Sequence, residues 1–271
     1  MKELLKRSIT GILYVFLLLG AAFLNTDAFD FLFLVFGLIC LYEFKKLLKL
    51  SGYYIFISFL ALWWVFIYLL EGIKNEFLII IPLLLFTLIV DISLIFRLFS
   101  KERKYYSNTQ KFFVSLFYIG GGFIFLTMIP YQKAHFAKFL IIGIFILIWI
   151  NDTFAYIVGK SIGRNKLYEK ISPKKTVEGF VGGLLFSIGA AFLLAKYNND
   201  LNQVQWIILT LVVVISGTIG DLIESKFKRL AGVKDSGAIL PGHGGLLDRL
   251  DSLVFVAPFA YLTLQIFNYV S

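Results

Sequence analysis

Charge and cysteine are scarce in this sequence. Of its 271 residues only 16% are Asp, Glu, Lys or Arg, against about a quarter in ordinary soluble domains. So few charges cannot cover a water-facing surface when 59% of the chain is hydrophobic and the mean hydropathy is +0.84, which excludes a water-soluble enzyme. Cysteine occurs once, as Cys40 inside an apolar run, so neither an internal disulfide nor a thiolate metal cluster can form. Short-period repeats and Ser/Gly/Pro-rich linkers are missing as well. The chain therefore reads as a single integral membrane domain over residues 1–271.

What is abundant is apolar bulk, including 30 Phe and 14 Tyr. A spanning helix needs about 20 mainly apolar residues. Windows that fit lie near 9–24, 28–42, 53–70, 77–96, 112–130, 139–158, 177–195, 205–221 and 253–270. The expected fold class is all-α, a polytopic membrane protein of about nine transmembrane helices. The second window is the weakest, being bordered by Asp27 and Asp30, and a re-entrant or tilted segment also fits it. Lys2, Lys6 and Arg7 before the first window imitate a signal peptide, but further spans follow at once, so an uncleaved first helix is expected, with no soluble domain before or after the bundle.

The formal charge of +9 is compatible with nucleic acid, an anionic membrane or an anionic substrate until position is considered. With nine spans and the N-terminus inside, 22 of the 26 basic residues fall on one side, in segments 1–8, 43–52, 97–111, 159–176 and 222–252. Only Lys74, Lys133, Lys138 and Lys196 fall on the other. The basic excess is thus topogenic, it implies a cytoplasmic N-terminus, and no nucleic-acid partner is expected.

Polar chemistry is unevenly spread. Residues 1–140 are mainly hydrophobic spans and short basic loops, whereas residues 145–255 hold the unusual polar groups. Asn151-Asp152-Thr153 sits in or at the end of the sixth span, where a carboxylate must face a cavity, a metal or a partner. Asp91, in the fourth span with weaker neighbours, reads as structural. Ser172-Pro173-Lys174-Lys175-Thr176 precedes the seventh span, with Ser172 as cap and Pro173 at the first helical position, or Thr176 capping a later start. Its two lysines beside a helix N-terminus suit phosphate, though a capped positive-inside flank explains them equally well. Gly179, Gly182 and Gly183 then read as close helix packing.

The richest stretch starts at the end of the eighth span. Asp221, Glu224, Ser225 and Lys228 share a face by three- and four-residue spacing, and Asp248 and Asp251 repeat that spacing at the start of the ninth helix. Between them, residues 232–245 carry five glycines and a proline, a loop able to bring backbone against a ligand. Hard oxygen donors from two helices, with positions left open, suit magnesium bound to a nucleoside triphosphate. Lys226, Lys228, Arg229, Lys234 and Arg249 would balance the remaining phosphate charge; the plainer reading is a surface loop whose five acidic and five basic residues neutralise one another. His243 is open to a role as base, ligand or loop former.

Ser225, Phe227, Lys228, Arg229, Lys234, Asp235, Gly237, Leu240, Pro241, His243, Gly244, Gly245, Leu246, Asp248, Arg249, Leu250 and Asp251 fill every fixed position of a 27-residue signature, at 225–251. In this the chain resembles the phosphatidate cytidylyltransferase, or CDP-diacylglycerol synthase, family. Asp152-Thr153 to Tyr156 and Ser172 to Thr176 resemble family elements upstream, so the likeness covers roughly 145–255. The resemblance implies transfer of CMP from CTP to phosphatidate, releasing pyrophosphate, by an all-helical homodimer in the bilayer using Mg2+, with carboxylates enough for a second cation. It implies Asp221 and Asp248 as metal ligands, and Lys228, Arg229, Lys234 and Arg249 as phosphate contacts. Asp235, His243 and Asp251 complete the expected catalytic set. Asp152, Ser172, Lys174, Lys175, Thr176, Ser225, Gly244 and Gly245 are expected around the substrates. Because CTP arrives from the cytosol, the site is expected at the cytoplasmic face of a bacterial plasma membrane. The rival enzyme is a CTP-dependent kinase of a polyprenol-type lipid. A transporter would instead place charges near the midplane and show internal symmetry, and neither pattern is present.

Overall fold

A computed structural model describes residues 2–70, 76–100, 106–131, 136–242 and 244–270. Helix makes up 81% of it. In chain order the helices are α1 (Lys2–Leu24), α2 (Thr26–Leu48), α3 (Tyr54–Trp63), α4 (Glu76–Phe99), α5 (Asn108–Val114), α6 (Gly122–Met128), α7 (Lys138–Ile162), α8 (Val177–Tyr197), α9 (Gln203–Ala231) and α10 (Leu247–Val270). A π-helical turn, Trp64–Leu69, continues α3, and another, Ser115–Gly121, joins α5 to α6 in one rod. Each of the nine expected windows falls on helical backbone, to within a residue at its ends. Among the described residues six helical segments are long and apolar enough to cross a membrane: 78–99, 108–131, 138–162, 177–197, 203–231 and 247–269. The apolar stretches Thr10–Leu24 and Tyr54–Leu69 are shorter, and α2 carries the buried acids Asp30 and Glu43 near its two ends.

Between α7 and α8 the chain forms a small antiparallel hairpin, β1 (Lys166–Tyr168) with β2 (Ser172–Thr176), paired Lys166 to Thr176 and Tyr168 to Ser172. This corrects the helix start expected at Ser172 and Pro173. A two-stranded hairpin has only edges, so it tolerates a proline with no N–H to donate. The later start is the observed one, with Thr176 as N-cap, its hydroxyl accepting from Gly179 N at 3.1 Å. From there α8 packs backbone to backbone along α7: a Cβ on Gly179 would lie 2.6 Å from the carbonyl oxygen of Ala155, and one on Gly183 2.8 Å from that of Asn151. The glycines expected to allow close packing do so.

With 29 residues, α9 is about 43 Å long, well over the ~30 Å of a bilayer's hydrocarbon core. An Asn202–Gln205 capping box starts it, and Gly232, at φ 73°, ends it in a left-handed cap. The Asp221 to Arg229 face occupies its C-terminal part. Beneath that face an aromatic cluster fastens the two halves of the chain. Phe44 of α2 meets Phe227 of α9 at 4.9 Å between ring centroids and Tyr118 of the π-turn at 5.5 Å, and Tyr118 meets Phe255 of α10 at 6.1 Å. At the crossing of α9 and α10, Gly220 removes the side chain that would strike Phe255, since a Cβ there would sit 2.5 Å from Phe255 Cβ. The two acidic helix faces are thereby brought opposite each other.

Candidate active site

A cavity of about 600 Å³ lies between the ends of α9 and α10 and the inner faces of α1 and α7. One wall is charged, formed by Asp152, Asp221, Lys228, Arg229, Lys234, Asp235, Asp248, Arg249 and Asp251, with Ser225 and Ser252 among them. The other is apolar, formed by Val15 and Leu18 of α1, with Gly11, and by Phe145, Ile148 and Trp149 of α7. A pocket of this size with one ionic and one apolar side suits an amphiphile beside a polyanion.

The charged wall is tightly organised. The Asp248 side chain is 5% exposed, and its Oδ1 accepts from Lys228 Nζ at 2.7 Å. Its Oδ2 accepts from Ser236 N at 2.9 Å, Ser236 Oγ at 3.0 Å and Gly245 N at 2.7 Å. Lys228 also pairs with the fully buried Glu224 one turn back along α9, so a single ammonium serves two carboxylates. Across the cavity Asp221 pairs with Lys175 of β2 and accepts from Ser225 Oγ at 3.2 Å. Burial works against the Lys175 charge, but Asp221 and then Asp152 and Asp251 outweigh it, and its pKa is raised above the ordinary lysine value. The 240–244 turn closes with Leu240 N donating to the carbonyl oxygen of Gly244 at 2.9 Å, with Gly242 at φ 79° and Gly244 at φ 89° in conformations that favour glycine.

The expected site residues are thus largely gathered. Asp152, Asp221, Ser225, Lys228, Arg229, Lys234, Asp235, Asp248, Arg249 and Asp251 line the cavity; Lys175 reaches it through Asp221 and Gly245 through Asp248. Ser172, Lys174 and Thr176 do not line it: Lys174 is exposed on the strand, and Thr176 is buried as the cap of α8. His243 lies outside the described residues. Unanticipated is α1, whose Thr10 and Tyr14 hydroxyls donate to the carbonyl oxygens of Pro241 at 3.4 Å and Arg249 at 3.3 Å. The one sequence cue was Thr10, Gly11 and Tyr14 on one side of an otherwise aliphatic run.

No three His, Cys, Asp or Glu side chains converge to hold a metal among the described residues. Magnesium needs only one or two carboxylates when phosphate oxygens complete its shell. A carboxylate has about four acceptor positions, and among the described residues Asp221 has two of them taken, by Lys175 and Ser225. The donor set therefore fits Mg2+ held jointly with a phosphate substrate.

The model of the Cytidylyltransferase family matches residues 5–267. This chain belongs to that family. Curated relatives named phosphatidate cytidylyltransferase include that of Staphylococcus saprophyticus, 43% identical over 169 residues, which is 62% of this chain and 63% of the relative. The proteins of Staphylococcus aureus strain COL and Staphylococcus epidermidis are 44% and 43% identical over the same shares. The match thus spans less than two thirds of each relative's length. In this cytidylyltransferase family member the family match runs through both walls of the cavity, including α1.

Proposed function

We propose that this chain is a phosphatidate cytidylyltransferase, joining CTP and phosphatidate into CDP-diacylglycerol and pyrophosphate. The observation that carries the reading is the single cavity in which the signature's charges face an apolar wall of α1 and α7. A phosphate monoester on a diacylglycerol needs both walls at once, and the relatives' names agree with it.

The phosphatidate monoester is anionic near neutral pH and needs no strong base. One of its oxygens forms a bond to the α-phosphorus of CTP, and the bond from that phosphorus to the β-phosphate's bridging oxygen breaks, so pyrophosphate leaves with the electron pair. The barrier is the approach of two anions and the charge that builds on the leaving group. Arg229, Lys234 and Arg249, all exposed on the charged wall, are the proposed partners of those phosphates. Lys228 is already divided between Glu224 and Asp248, and its proposed part is to hold Asp248 in orientation. Lys175 does the same for Asp221. Asp221 and Asp248 are the proposed holders of Mg2+, which when bound neutralises triphosphate charge as a Lewis acid; Asp152 and Asp251 stand nearby for a second cation. Asp235, His243, Gly244 and Gly245 belong to the proposed loop over the substrates.

The same reading includes nine crossings within one membrane domain, a cytoplasmic N-terminus and site, a bacterial plasma membrane, lateral entry of acyl chains beside α1, and a homodimer. The bias of basic residues to one side supports the orientation. The test follows labelled CTP with vesicles that carry both phosphatidate and a polyprenol, with and without EDTA. Metal-dependent CDP-diacylglycerol with equimolar pyrophosphate is expected. Release of CDP with a phosphorylated lipid alcohol would assign a CTP-dependent lipid kinase instead.

A further inference from the structure

Glu43 lies near the end of α2, in the half of the chain that supplies none of the signature, and it is 1% exposed. A buried carboxylate must be compensated. Among the described residues its compensation comes from the signature loop about 200 residues away: Leu246 N donates to Oε1 at 3.2 Å and Leu247 N to Oε2 at 2.9 Å, while Ser236 Oγ, 3.3 Å from Oε2, shares its one hydrogen with Asp248 Oδ2. Leu247 is the first residue of α10, so Glu43 satisfies N–H groups that a helix start leaves without partners. Ser236 and Gly245, beside Glu43 Oε2, are the residues whose N–H groups hold Asp248 Oδ2.

Two small positions of the signature acquire a reason from this contact. A Cβ on Gly237 would stand 2.2 Å from Glu43 Oε1, and one on Gly245 would stand 2.6 Å from Oε2 and 2.1 Å from Ser236 Oγ. The glycines make room for a side chain outside the motif.

We infer that Glu43 is a positioning residue of the active site: it clamps the 236–247 loop to α2 and so fixes where Asp248 presents its carboxylate. The inference rests on the cytidylyltransferase reading of the cavity. Glu43 touches no substrate; it acts through Ser236, Leu246 and Leu247. Glutamine at this position keeps the shape but turns an amide N–H₂ toward N–H and O–H donors, whereas aspartate keeps an acceptor-only group one methylene short.

The test uses the full chain in detergent and in phosphatidate vesicles. Glu43→Gln is expected to lower kcat by about 10- to 100-fold and to raise the Mg2+ concentration for half activation, the range seen when partners behind a metal ligand are lost. Glu43→Asp is expected to fall between it and the parent. Melting temperature is expected to fall by a few degrees in Glu43→Gln and less in Glu43→Asp, with the yield of folded protein kept in both. Gly245→Ala should reproduce the Gln phenotype, and the double variant should be no worse than the more severe single one. Amide hydrogen exchange at Leu246 and Leu247, without substrates, should accelerate in Glu43→Gln. Unchanged kcat and Mg2+ midpoint, or a kcat loss matched by an equal loss of folded protein, overturns the inference. A parent protein that transfers no CMP defeats the functional reading instead; the exchange measurement still decides the clamp, and unchanged protection at Leu246 and Leu247 overturns it.

Discussion

The two walls of the cavity are built on opposite principles. At the centre of the charged wall the side chains are fixed by partners: Asp248 by four donors, Lys228 by two carboxylates, Asp221 by Lys175 and Ser225. On the apolar wall Gly11, Val15, Leu18, Ile148 and Trp149 contribute shape alone, and α1 is tied to the site by two long hydrogen bonds. Directional bonds fix charges to within tenths of an ångström, which transfer chemistry requires, whereas dispersion contacts accept chains of varied length. The difference implies that damage to one wall should appear in turnover and damage to the other in lipid choice.

The largest effect is expected from Asp221→Asn, which removes a proposed metal ligand and leaves Lys175 without its partner. Turnover should fall by about 100- to 1,000-fold, with added Mg2+ failing to restore it. Near-parental turnover would remove Asp221 from the chemistry and break the distinction between the walls at its strongest point. Next comes Lys228→Met, which strands the fully buried Glu224. Breaking one partner of a buried pair costs about 3–5 kcal/mol, read as a large fall in melting temperature. The double variant Lys228→Met with Glu224→Gln should recover much of that stability without activity, separating the fold's need for this pair from the reaction's.

The apolar wall responds to volume. Val15→Trp narrows it from α1, and the ratio of kcat/KM for short against long acyl chains should rise by about tenfold, within what a few methylenes are worth, with the KM for CTP unchanged. Phe16, next along the helix but 69% exposed, points away from the cavity, so Phe16→Trp should leave the ratio alone. Equal shifts from both variants would mean that α1 does not line a lipid site.

The same contrast explains what the sequence made legible. The charged wall could be read because its residues are rare in this composition and sit at helical spacing around a glycine-rich loop; Asp221, Ser225, Lys228 and Asp248 meet as that spacing requires. The apolar wall could not, because Val15 and Leu18 look like any lipid-facing residue until a partner helix selects a face. Glu43 was hidden differently, since its donors are backbone N–H groups on a distant loop and backbone leaves no mark on composition. The hairpin was missed because Ser-Pro before an apolar run is also a good helix start, and the local signal does not tell the two apart. Asp91, read as structural, is wholly buried with neither carboxylate oxygen hydrogen-bonded among the described residues, and the site makes no use of it.

The smallest effect belongs to neither wall. Thr176→Ala deletes the cap of α8 and should lower stability by about 1 kcal/mol, with Thr176→Ser recovering most of it because the hydroxyl returns. Turnover should hardly move. Lys175, the adjacent residue, is held by Asp221 and by the pairing of β2 with β1, so losing the cap leaves its ammonium in place. The pH dependence checks this. A lysine whose folded pKa is raised stabilises fully below its unfolded value of 10.5, and that stabilisation is lost only as pH climbs through the higher folded value. The parent and Thr176→Ala should therefore differ by a constant amount from pH 8 to pH 12 in thermal melts; a gap that narrows as pH rises past 10.5 would mean that the cap holds Lys175 against Asp221, and that the hairpin belongs to the charged wall after all.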